Sequence, residues 1–207
     1  MIGGAFSLLA TLIIYSNAAF LVSTFGASAA GIIEEIGKLA ALLFVVRKVK
    51  DNRYQYRLNA LLLGAAVGTG FAAFESAGYA FRVGLQIGPN AMLDNILLRG
   101  ILAPFMHIAW TSIAASAYWI ARPYHNTTME TLLSPRFLKL FAVPVALHFL
   151  WNYNLPFQMN LFIKCGILGF VAWVVILSLV QSGLREMAEL TAPKESDGVI
   201  TETRGAS

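Results

Sequence analysis

The sequence predicts an all-α polytopic membrane protein with six transmembrane helices and both termini in the cytoplasm. Three observations predict it: an apolar composition, six apolar runs of spanning length, and lysines and arginines gathered in alternate connections. Of the 207 residues, 57% are apolar and 13% charged, against roughly 45–50% and about 25% in soluble domains. A mean hydropathy of +0.66 leaves too little polar surface to wet a globule of this size. A soluble enzyme, a disordered linker and a disulfide scaffold are thereby excluded. The single cysteine, Cys165, cannot form an internal disulfide and lies in an apolar run, so it carries no information on redox compartment.

A helix needs about 20 mostly apolar residues to cross the hydrocarbon. Such runs fall at about 3–25, 28–47, 59–83, 97–121, 137–154 and 158–182. The fifth is the weakest, being short and carrying Pro144, His148 and Asn152. Breakers separate the runs: Gly26, Asn52, Gly88-Pro89-Asn90, Pro123 with Ser134-Pro135, and Pro156. Residues 1–182 therefore read as one transmembrane domain. Residues 183–207, polar and poor in aromatics, read as a short disordered cytoplasmic tail.

Charge placement sets the orientation. Arg47, Lys48, Lys50, Arg53 and Arg57 follow the second run, Arg122, Arg136 and Lys139 follow the fourth, and Arg185, Lys194 and Arg204 lie in the tail. The positive-inside rule puts these segments in the cytoplasm. The net charge of +4 is thus explained by a lipid bilayer, and nucleic acid is not an expected partner. Ala27-Ser28-Ala29 resembles a signal-peptidase site, but no basic segment precedes the first run, so the run is expected to remain. No internal repeat stands out.

Against this background six ionisable residues are out of place. Glu34, Glu35, Lys38, Glu75, His107 and His148 all fall inside predicted spans. A charge at the bilayer centre costs about 2.5–3.5 kcal/mol even on the lenient insertion scale, so such groups are expected to face one another around a functional site. With about 1.5 Å of rise per residue, Glu34 and His148 lie roughly 9 Å, Glu75 roughly 12 Å and His107 roughly 15 Å from the outer end of their helices. Four helices thereby bring their ionisable groups to one slab of the outer half. A neighbour four residues on shares each group's helix face: Lys38 for Glu34, Tyr79 for Glu75, Thr111 for His107 and Asn152 for His148. Pro104 and Pro144, each one turn before a histidine, free a backbone carbonyl and open room for water or a substrate strand.

Other polar positions read as structure. Arg82 and Arg99 are expected to anchor helix ends, Lys164 to snorkel, and Trp110, Trp119, Trp151 and Trp173 to pack or sit in the interfacial belt. His125 is expected in a solvated connection, and the Asn126-Thr127-Thr128 sequon falls on the cytoplasmic side. Gly64-xxx-Gly68 reads as close helix packing rather than a phosphate loop.

Carboxylates and imidazoles in a wet pocket can activate water, with glutamate as base and a histidine or asparagine stabilising the oxyanion. Alternatively Glu75, His107 and His148 would make a zinc site of two histidines and a glutamate, with a second glutamate as base. Either route hydrolyses a peptide bond within the membrane. No serine or cysteine nucleophile stands in a recognisable arrangement, and no HExxH occurs. A proton or metal-ion transporter is the competing reading, since intramembrane Glu, Lys and His also mark ion paths. The inner half of the third span, Leu61 to Gly70, carries no titratable group for such a path. A non-catalytic membrane chaperone is a third.

Glu34-Glu35-Ile-Gly-Lys38, Phe74-Glu75-Ser-Ala-Gly-Tyr79, the His107 helix and His148-Phe-Leu-Trp-Asn152 resemble the motifs of PrsW intramembrane proteases: EExxK, FExxxY, a lone histidine and HxxxN. That family is distantly similar to CAAX prenyl endopeptidases and CPBP membrane proteins. The resemblance covers about residues 28–154. It implies a multi-pass protease of a bacterial inner membrane, described as a metallopeptidase, that makes the first cut in a membrane-tethered anti-sigma factor. It carries catalytic roles to Glu34, Glu35, Glu75, His107 and His148, with Lys38 as the basic follower. Asn152 stands where some members have aspartate.

Overall fold

A computed structural model describes residues 2–48, 54–124, 127–154 and 161–192. These residues are helical, with no strand among them. The helices are α1 (Ile2–Asn17), α2 (Ala19–Phe25), α3 (Ala30–Lys48), α4 (Arg57–Gln86), α5 (Pro89–Ala121), α6 (Thr128–Leu133), α7 (Pro135–Asn152) and α8 (Leu161–Thr191). Short 3₁₀ turns at Gly26–Ala29 and Arg122–Tyr124 join α2 to α3 and follow α5.

Among the described helices, three are long and apolar enough to cross a membrane: 57–86, 89–124 and 161–191. The pair Ile2–Asn17 and Ala19–Arg47, bent by 80°, makes a fourth if it counts as one span. Phe20, Leu62, Phe81, Leu85, Ile101, Phe170 and Leu177 all point away from the bundle. Buried Glu35, Lys38 and His148 face its interior. A polar centre inside an apolar coat suits lipid as solvent.

Several elements differ from the runs read in the sequence. The first run breaks at Ala18, because Ser16 Oγ and Asn17 Nδ2 both bond the Ile13 carbonyl at 2.8 Å, and side chains that take backbone acceptors disfavour continuation. The fourth run starts earlier than expected, at Pro89. Its proline suits the first helical turn and Gly88, at φ 126°, makes the preceding turn. The last helix continues past Gly183 to Thr191. Arg57 secures this extension: its backbone N–H donates to Glu186 at 2.7 Å and its guanidinium to Ser182 at 2.5 Å. Residues 193–207 of the expected tail lie outside the described residues, as do Pro156, His125 and Asn126.

Packing between α4 and α5 sets the height of the site. A Cβ on Gly64 would lie 2.6 Å from the Ser112 Cα and the Thr111 carbonyl oxygen, and one on Gly68 2.5 Å from the His107 carbonyl oxygen. Only glycine allows the two backbones so close. Ser112 Oγ adds a hydrogen bond to the Leu61 carbonyl at 3.0 Å. At the start of α7, Ser134 Oγ accepts from the Phe137 amide at 3.2 Å, capping the helix that carries His148.

Gly68→Val therefore drives α5 away from α4 and costs about 1–3 kcal/mol as an overpacked contact. Gly78→Ala meets nothing within 4 Å and leaves stability unchanged or slightly raised. Thermal unfolding of the two purified variants in micelles checks the contrast; equal unfolding temperatures would contradict it.

Candidate active site

Four helices bring the ionisable residues together. Glu34, Glu35 and Lys38 come from α3, Glu75 from α4, His107 from α5 and His148 from α7. Glu34, Glu75, Tyr79, His107, His148 and Asn152 line a cavity of about 360 Å³, with Tyr15, Arg99, Trp110 and Trp151 also in its wall. Glu35 and Lys38 lie behind it, both 0% exposed.

The partners are found across helices rather than along them. Lys38 Nζ lies 2.6 Å from Glu35 Oε1 and 2.8 Å from His107 Nδ1, and only 3.9 Å from Glu34 Oε2, the neighbour expected from spacing. Glu35 Oε1 also meets His148 Nδ1 at 2.7 Å. Glu75 Oε2 lies 3.1 Å from His107 Nε2 and 2.5 Å from the Arg99 guanidinium. Tyr79 stands 4.2 Å beneath that guanidinium. Thr111 Oγ1, the expected companion of His107, is buried with no hydrogen-bond partner among the described residues.

These contacts fix where the imidazole hydrogens sit. An ammonium has three donors and no acceptor, and an ionised carboxylate only accepts. With Lys38 and Glu35 charged, Lys38 donates to His107 Nδ1, which puts the His107 hydrogen on Nε2, facing Glu75. His148 donates from Nδ1 to Glu35, which leaves a lone pair on its Nε2. That atom lies 3.7 Å from Glu34 Oε2, an oxygen that is buried and has no hydrogen-bond partner among the described residues. The two imidazoles thus present opposite faces to the cavity: a donor and an acceptor.

Aromatic rings hold both imidazoles in place. Trp110 stacks on His148 with centroids 4.1 Å apart and planes 18° apart, and stands edge-on to His107 at 5.3 Å. Lys38 lies 4.5 Å from the Phe71 ring centroid, a cation–π contact that helps seat a charge away from water.

Glu34, His107 and His148 each offer a ligand atom within 4.8 Å of the others. Two imidazoles and a carboxylate are a donor set that suits zinc, and the unpartnered Glu34 Oε2 gives it an open ligand, so the residues fit a divalent cation. The carboxylate in this group is Glu34; Glu75, the ligand expected from sequence, stands beside it, paired with Arg99 and His107. Glu35 stands behind His148 as the carboxylate that commonly orients a metal-ligating histidine. His107 can offer Nε2 only after its hydrogen moves to Nδ1, which requires Lys38 to release it.

Three residues escaped the sequence reading. Arg99 read as an anchor at a helix end, but α5 starts ten residues earlier and places it two turns before His107 on the same face. Tyr15, whose hydroxyl lies 3.5 Å from Glu34 Oε1, is the single tyrosine among the four aromatics of its run, and that lone hydroxyl was the signal available in the sequence. Lys164 does not simply snorkel: it donates to the carbonyls of Trp151 at 2.7 Å and Tyr153 at 3.2 Å, securing the C-terminal end of α7 beside Asn152.

Removing one member of the buried charge set strands another. Lys38→Met should cost about 3–5 kcal/mol by leaving Glu35 uncompensated, and adding Glu35→Gln should recover part of that loss. A double-mutant cycle from unfolding of the purified proteins measures it; purely additive penalties would mean the two residues are uncoupled.

The geometry agrees with comparison to known proteins. The family model for PrsW family intramembrane metalloproteases matches residues 1–180. No curated protein and no solved structure matches the chain. The chain belongs to the PrsW family of intramembrane metalloproteases.

Proposed function

We propose that the chain is an endopeptidase that cuts a membrane-anchored protein near the outer face of a bacterial inner membrane, as in the first cleavage of a tethered anti-sigma factor. In this reading α1 with α2, and α3, α4, α5, α7 and α8, make six spans. The helix α6 lies in a cytoplasmic connection, and both termini are cytoplasmic. Family membership supports the general activity. One observation carries the site: Glu34 Oε2, buried and without a hydrogen-bond partner among the described residues, faces the His148 Nε2 lone pair on a cavity wall.

A water between these atoms gives one hydrogen to Glu34 and points the other at His148 Nε2. Glu34 takes the proton as the water oxygen adds to the scissile carbonyl. The charge that develops on the carbonyl oxygen meets the Asn152 side-chain amide, which lines the same cavity, while His107 Nε2–H stays on Glu75. Collapse breaks the C–N bond, and Glu34 returns its proton to the leaving amine. Glu75, held by Arg99, positions His107. Glu35, held by Lys38, positions His148. A cation such as Zn²⁺, held by Glu34, His107 and His148, would polarise the carbonyl and acidify the water.

The transporter reading fits less well. Toward the other end of the bundle, Leu39, Leu42, Val67, Ala115 and Trp119 pack into an apolar core, and the polar side chains buried on that stretch of α5, Ser112 and Ser116, are uncharged hydroxyls.

The test uses a tagged single-pass reporter with an apolar transmembrane helix, co-expressed with the chain. Glu34→Gln, Glu35→Gln, His107→Ala and His148→Ala should each lower its cleavage per folded molecule by about 10²–10⁴-fold, with Glu35→Gln also lowering the yield because it strands Lys38. Full cleavage by all four variants would overturn the assignment. Chelator treatment of the purified protein with metal analysis decides the cofactor. Loss of cleavage restored by Zn²⁺ assigns a cation, whereas cleavage that persists in chelator assigns the water to Glu34 and His148 alone.

A further inference from the structure

A second cavity, of about 350 Å³, lies between α1 and α4. Leu8 and Leu12 form its α1 wall, and Phe74 and Gly78 its α4 wall. It shares Tyr15, Glu34, Glu75 and Tyr79 with the cavity described above. The two carboxylates are therefore reached from two directions. The first approach runs past Arg99, His107 and Asn152. The second runs between largely apolar walls that also carry Thr11 and Arg82, and Leu12, 56% exposed, stands at its open side.

The shape of this crevice follows from one crossing. A Cβ on Gly4 would lie 2.4 Å or less from the Gly70 Cα and carbonyl carbon, so the backbones of α1 and α4 touch there. Beyond that point Leu8, Leu12 and Tyr15 on α1 face Phe74, Gly78 and Tyr79 on α4 across open space. Gly78 has nothing within 4 Å of where a Cβ would stand. A pair of helices pinned at one end and parted at the other makes a slot that opens sideways and ends on Glu34 and Glu75.

Resting on the reading of the chain as a hydrolase of membrane-anchored proteins, we infer that this crevice is the lateral port through which an apolar transmembrane segment of the substrate passes from the bilayer to the carboxylates. The other cavity is then the water entrance. The chemistry of the occupant follows from the walls. An apolar slot facing lipid gains nothing from a charged or soluble peptide, whereas a hydrophobic segment exchanges lipid contacts for Leu8, Leu12 and Phe74. A helical backbone keeps its carbonyls bonded internally, so hydrolysis requires a local unwinding. Unwound backbone in a membrane must find polar partners at once. The inner end of the crevice gathers most of them, the Tyr15 and Tyr79 side chains with the two carboxylates, while Thr11 and Arg82 add single polar groups along its walls. Unwinding is thereby favoured where the bond is cut.

Photocrosslinking tests the port separately from the chemistry. A benzoyl-phenylalanine is introduced singly at Leu12 or Gly78 in the crevice, or at Leu98 or Leu161 in the other cavity. Each is placed in the Glu34→Gln variant, co-expressed with the tagged reporter and irradiated in membranes. Capture from Leu12 and Gly78, and its loss from Leu12 on adding Gly78→Phe but not Gly100→Phe, is the expected result. Capture only from Leu98 and Leu161, or from none of the four, overturns the port and leaves hydrolysis standing. A reporter captured in the crevice but left uncut by the unmodified protein upholds the port and counts against the hydrolase reading.

Discussion

The arrangement depends on one buried cation. Lys38 is fully removed from solvent, and it ties α3 to α5 through His107 and, by way of Glu35 and His148, to α7. A lone ammonium in this position would be prohibitive, and so would a lone Glu35. Each is tolerable because the other is there, with aromatic rings over the charge. The same contacts decide the chemistry. By occupying His107 Nδ1 and Glu35 Oε1, Lys38 determines which nitrogen of each imidazole faces the cavity. Folding energy and proton placement are thus set by the same side chain.

The sequence made the membership of the site legible, because Glu34, Glu35, Lys38, Glu75, His107 and His148 are expensive in a membrane. Helical rise puts them at a common level, and the structure does bring them together, although α5 begins eight residues before the run from which the His107 depth is counted. The pairing was not legible. Spacing along a helix names Lys38 for Glu34 and Tyr79 for Glu75, but the structure joins Lys38 to Glu35 and Glu75 to His107 and Arg99. Rotation of one helix against another selects between such pairs, and that rotation is fixed by contacts such as Gly68 against the His107 backbone. Helix bounds were similarly exposed to tertiary effects. Arg99 looked terminal only because α5 was taken to start near residue 97, after the polar residues that Pro89 and Gly88 in fact bring into the helix.

Two kinds of close glycine contact do different work. Gly64 and Gly68 bring α4 against α5 over a long stretch and so hold Glu75 and His107 at a common level. Gly3 and Gly4 bring the start of α1 against Val67 and Gly70 of α4, and the two helices part further along, around the second cavity. A bundle packed equally tightly on every side would bury the carboxylates beyond the reach of a polypeptide. The uneven distribution of small residues gives one side of α4 packed closely on the helix that carries His107 and another side left open next to Glu34 and Glu75.

Lys38 also bears on how a cation and the protein's own hydrogen bonds share the site. For His107 to offer Nε2 to a metal, its hydrogen must sit on Nδ1, where it would confront the Lys38 ammonium donor to donor. Cation binding and the Lys38–His107 hydrogen bond are therefore mutually exclusive as the residues stand. Loading would move Lys38 onto the glutamates alone, where Glu34 is already 3.9 Å and Glu35 2.6 Å away. The positive charge of the metal would then stand close to that of Lys38, and the negative charges of Glu34, Glu35 and Glu75 would have to hold both. Three carboxylates, when ionised, against the Lys38 ammonium and the Arg99 guanidinium paired with Glu75 leave the centre with one more negative than positive charge. That excess can be met by protons or by a cation, and it is the electrostatic reason a site with this membership can support water activation in either state.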